Sequence, residues 1–167
     1  MRMTWIGVAL GLLAAATGLA GCVEPSETED PTRAAGDSDP LRVLAFSTID
    51  QTHSGVQDRR MVTVTDNESW DDLWTEHQRD HYPPAEAPGV DFSEMMVIAL
   101  FHGSAPSTCF GAAISSIESN ATEAVVYGNW TSVGNVVCGS AVTNPSHLVK
   151  VARLPMPIRF AIGQRDT

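Results

Sequence analysis

His77 and His81 are the residues whose spacing most directly suggests chemistry. Positions four apart share a helix face, so two imidazoles placed there could hold one metal ion, with Glu76 beside them. The motif is incomplete, because a metalloprotease helix carries its glutamate directly after the first histidine, where this chain has Gln78. Pro83 further predicts that the helix frays near His81. No serine lies in a Gly-x-Ser-x-Gly elbow, so a catalytic triad has no support in the pattern. Gly103-Ser104-Ala105-Pro106 lacks both the glycine spacing and the lysine of a phosphate-cradling loop. Asp71 and Asp72 fall on the polar side of the same helix, where paired carboxylates ordinarily serve solvation. The expectation is a chain without catalytic residues or a cofactor, with His77 and His81 as weak metal candidates.

The three cysteines carry more information. Residues 1–21 read as a start made positive by Arg2, an apolar run from Trp5 to about Leu19, and small residues directly before Cys22. That is the pattern of an export signal. The apolar run is shorter than the roughly 20 residues that cross a bilayer. Leu19-Ala20-Gly21-Cys22 resembles the lipobox of bacterial lipoproteins, in which the cysteine is alkylated by diacylglycerol and cleavage follows directly before it. Each buried methylene contributes about 0.8 kcal/mol, and two or more chains hold stably. Residues 1–21 are therefore expected to be a signal peptide, and Cys22 a lipidated N-terminus at the membrane. Val23 stands where an inner-membrane retention signal would place aspartate, which favours the outer membrane or cell surface within the cell envelope.

Residues 22–40 are acidic and rich in Ser, Thr and Pro, with almost no large apolar side chains, and read as a flexible tether. Residues 41–167 are enough for one domain with a core. Cys109 and Cys138 are then an even pair in a compartment where disulfides persist. A bridge closing a loop of this length contributes about 3 to 4 kcal/mol in the chain-entropy account. The net charge is −10, and loss of Arg2 with the leader makes it more negative. Nucleic acid and anionic lipid headgroups both require basic patches and are poor charge-driven partners.

Strand signals dominate the domain. Arg42–Ser47, Met61–Thr65, Leu148–Ala152 and Ile158–Ile162 are short and β-prone. Met95–Phe101 is an almost unbroken apolar run, expected to be a central strand covered on both faces. Ala112–Glu118 and Ala124–Trp130 flank the polar turn Ser119-Asn120-Ala121-Thr122 and predict an antiparallel hairpin. One helix is expected from about Glu68 to Arg79, capped by Asp66 or Asn67. Its apolar stripe is Trp70, Leu73, Trp74 and His77. The fold class is mainly β (α+β): an antiparallel sheet, small sandwich or open barrel with one packed amphipathic helix.

From Ser69 to Phe160 the order of features resembles the C-terminal domain of the PrcB family, named for a lipoprotein subunit of a spirochaete surface protease complex. The resembling residues are Trp70 with Leu73-Trp74, Pro83-Pro84, Val90-Asp91-Phe92-Ser93 and Met96-Val97-Ile98-Ala99. Ala113–Ile117, Val142-Thr143-Asn144-Pro145, Leu148–Val151 and Pro157-Ile158-Arg159-Phe160 follow. Where the family tends to carry a Gly-Gly-Tyr turn, this chain has Thr108-Cys109-Phe110-Gly111. The resemblance implies a non-catalytic accessory or binding module with a protein partner, a protease among them.

Three functions are thus expected in order. The first is a lipid-anchored protein-binding or protease-complex accessory module. The second is a metal-binding or hydrolytic domain using His77 and His81. The third is a wall- or glycan-binding structural lipoprotein, with Tyr127 and Trp130 as stacking surfaces.

Overall fold

Met95–Phe101 forms the strand around which the rest is built, and its apolar side chains divide strictly by parity. Met96, Ile98 and Leu100 enter one core cluster, while Val97, Ala99 and Phe101 enter another. Successive side chains of a strand point to opposite faces, so a run that is apolar throughout requires cover on both. The computed structural model describes residues 39–134 and 136–166; the expected signal peptide 1–21, Cys22 and the expected tether up to residue 38 lie outside the described residues.

The strands are β1 Arg42–Leu44, β2 Phe46–Asp50, β3 Arg60–Val64, β4 Met95–Phe101, β5 Phe110–Ser119, β6 Ala124–Ser132, β7 Ser146–Ala152 and β8 Ile158–Asp166, with helix α1 at Asn67–His77. They form two four-stranded sheets, ordered β1-β5-β6-β8 and β2-β7-β4-β3. Between the sheets lies the cluster of Met96, Ile98, Leu100, Ile114, Ile117, Val126, Val149 and Val151. On the outer face of the second sheet, Trp70, Leu73 and Trp74 of α1 pack on Val97, Phe101 and Leu148. The molecule is therefore mainly β, a sandwich with one helix closing an open face.

Several elements differ from the sequence expectation. Arg42–Ser47 is not one strand: the chain changes sheets at Ala45, so β1 joins β5 and β2 joins β7. A one-residue sheet switch leaves the apolar pattern intact, which is why periodicity reads straight through it. The β5–β6 hairpin is antiparallel as expected, and Asn120 fixes its turn by accepting from the Thr122 and Glu123 amides. β8, however, runs parallel to β6. The helix ends at His77, capped by Gln78, and its N-cap is Asp66, whose carboxylate accepts from the Ser69 amide.

Candidate functional site

His77 is fully buried at the end of α1, and its Nε2 lies 2.8 Å from Asp50 Oδ2. A bulge in β2 makes that contact. Thr48 pairs with Val149 and Asp50 with Leu148, so one extra residue turns Asp50 to the helix side while Thr48, exposed on this edge strand, stays on the face toward the other sheet. There Thr48 Oγ1 lies 2.9 Å from His147 Nε2, and His147 Nδ1 accepts from the Ile114 amide on the facing sheet. Asp50 thus ties β2 to α1, and His147 ties the second sheet to the first. No local pattern marked either, because each depends on a partner distant in sequence.

The pair His77 and Asp50 has the geometry of a base and its orienting carboxylate, with the second ring nitrogen sealed from solvent. His77 Nδ1 is buried and has no hydrogen-bond partner among the described residues. Burial pushes the His77 imidazole below its ordinary pKa, against the pull of Asp50. The neutral ring, with its proton on Nε2 toward Asp50, packs against Trp74 and Phe101. His81 does not share the helix face, since α1 ends four residues earlier, although its ring stands 6.0 Å from His77. Among the described residues no three His, Cys, Asp or Glu side chains gather as a metal site.

His102 is also buried, between Arg59 and Phe110. Desolvation lowers its pKa, and the Arg59 guanidinium lowers it further. Arg59 donates to the His102 carbonyl and lies 4.5 Å from the centroid of the Trp130 ring. Trp130 packs against the inter-sheet core. Tyr127 is three residues away on β6 and hence on the other face, so the two rings do not form one stacking platform.

Two surfaces remain. The first lies where the tryptophan indoles hold the loop after α1. Trp70 Nε1 donates to the Pro88 carbonyl, Trp74 Nε1 to that of Ala85, and Gln78 Oε1 accepts from the Ala85 amide. These bonds hold open a groove of about 1030 Å³ between α1 and the loop.

The second surface is one end of the sandwich. Cys109 and Cys138 stand there as a bridged pair, with Cα atoms 5.4 Å apart. Thr108 and Gly139 exchange hydrogen bonds beside them, as do the backbones of Ala105 and Thr143. Residues 102–109 are laced to Val133 and to residues 136–145 by these contacts. From this lacing Val136, Val137 and Val142 project into solvent, with Val137 wholly exposed. No Asp, Glu, Lys or Arg occurs from Met95 to Ile117 or from Ala124 to Val149. These two gaps are the sequence signal of the loops that carry the valines, although Asp58 and Arg59 pack beside Gly103 and Arg165 and Asp166 pair with the end of β6.

No family model, curated protein or solved structure matches this chain. The functional reading therefore rests on its own residues.

Proposed function

We propose that the chain is a non-catalytic, lipid-anchored envelope protein that binds a partner protein through the exposed valines at this end of the sandwich. The observation that carries this reading is the set of valines held in solvent on loops fixed by the Cys109–Cys138 pair. Exposing Val136, Val137 and Val142 together forgoes hydrophobic stabilisation, and rigid loops lower the entropy cost of docking.

The position of these valines agrees with an anchor at Cys22. Asp39 is held by Asn120, at the opposite end of β5 from Cys109. Ten residues of strand separate the two ends, about 30 Å. A tether joined at Asp39 leaves the valine pole facing away from its attachment point. A protease complex as the setting rests only on the sequence features that resemble the PrcB family, which no family model supports.

Site-specific photo-crosslinking in cells tests the reading. A crosslinker at Val137 should yield a discrete protein adduct that one at Glu118 does not, and Cys22→Ala should abolish lipid labelling. No adduct from position 136, 137 or 142 would count against the pole.

A further inference from the structure

The groove beside α1 is lined by the apolar Trp74, Pro84 and Ala85 and by the carboxylates Asp71, Asp72 and Glu86. All three carboxylates are exposed, and none makes an ion pair among the described residues. Glu76 also lines it but is engaged by Arg60 and Arg79, which leaves Arg79 already paired on that wall. At one end Tyr82 is 99% exposed, an aromatic ring with no protein surface against it.

We infer that this groove docks an extended, basic segment of a partner protein, with Lys or Arg heads at Asp71, Asp72 and Glu86 and apolar residues against Trp74, Pro84 and Ala85. This rests on the reading of the chain as a binding module and names the partner's chemistry at a second surface. Charge selects the occupant. A second copy of this chain, its own acidic segment 22–40, an anionic bilayer and a nucleic acid would each bring negative charge to these carboxylates. A cationic segment gains at every contact, and its ammonium or guanidinium can stand over the Tyr82 ring. The loop is already hung from Trp70 and Trp74, so the groove needs no rearrangement to receive it.

The test uses the mature protein and a synthetic peptide in which Lys and Arg alternate with Leu and Pro. Two control peptides replace the cations with Gln or with Glu. The basic peptide should bind, perturbing the Trp74 and His81 NMR signals, with affinity falling several-fold between about 0.05 and 0.3 M ionic strength. The Gln and Glu peptides should not bind measurably. The variant D71N/D72N/E86Q should lose about tenfold in affinity, and Tyr82→Ala about threefold. The variant E94Q/E118Q/D166N removes equal charge outside the groove and should bind as the parent does.

Equal loss in the two charge variants would mean general acidity rather than a site, and would overturn the proposal. Absence of binding, or tight binding of the Gln peptide, would overturn it too. If instead Val137→Asp abolished peptide binding while the groove variants did not, the groove reading would fall and the valine-bearing end of the sandwich would stand.

Discussion

At the scale of single residues, the fold depends on a few side chains that link elements far apart in sequence. His77 fills a space bounded by Trp74, His81 and Phe101, and its Nε2–H donates a hydrogen bond to Asp50. His77→Ala removes both packing and hydrogen bond and should cost about 2 to 4 kcal/mol. Asp50→Asn should cost less, because an amide oxygen still accepts from Nε2. Urea midpoints of the two variants check the ranking, and equal losses would mean that the carboxylate charge itself matters. Gly103 is a different kind of anchor. Its φ is +76°, and a Cβ there would come within 2.7 Å of the Arg59 amide nitrogen. Gly103→Ala should therefore destabilise by roughly 1 to 3 kcal/mol. Arg59 carries the stack on Trp130, so the same variant should also move the indole fluorescence.

At the scale of elements, the sequence was legible where one physical cause acts locally. The apolar run of β4, the stripe and cap of α1 and the Asn120 turn were each readable, because periodicity and turn chemistry specify them without reference to the rest of the chain. The switch at Ala45, the bulge in β2 and the parallel pairing of β8 were not, since each is decided by which sheet the neighbouring segment meets. The candidate surfaces divide in the same way. Trp70 and Trp74 were readable as core, but not as donors that hang a loop eleven to eighteen residues further on. Val136 and Val137 are β-branched, yet they lie on a loop next to Cys138 and Gly139, which are tied to residues 108–109. That tie makes the pair of cysteines an element-scale device. Cys109→Ser with Cys138→Ser should lower stability by about 3 to 4 kcal/mol and the melting temperature by on the order of 10 °C. Thiol titration of the unfolded, unreduced parent should find neither sulfur free; two free thiols there would refute the bridge.

At the scale of the whole molecule, the sandwich buries three imidazoles, and this sets how stability responds to pH. His77, His102 and His147 each have their pKa lowered, in every case chiefly by desolvation. An unfolded histidine titrates near 6.5. Between that value and the lower folded values the unfolded chain binds more protons than the native one, so stability rises with pH across this window. As pH falls below about 6.5, each histidine can remove up to about 1.4 kcal/mol per pH unit, until its folded form also takes up a proton. Asp66 and Asp91 act in the same direction at lower pH. Their carboxylates accept bonds from Ser69 and Ser93, which lowers their pKa below the ordinary 3.8, and that contribution is lost as they protonate. The expected profile is a plateau above neutrality, a fall in the denaturant midpoint from about pH 7 to 5, and a further fall toward pH 3. Native His77 gains an Nδ1 proton on acidification with no acceptor among the described residues, so the first fall should include loss of the α1 packing seen by tryptophan fluorescence. A midpoint that stays flat from pH 7.5 to 5 would be incompatible with three neutral rings sealed in the sandwich.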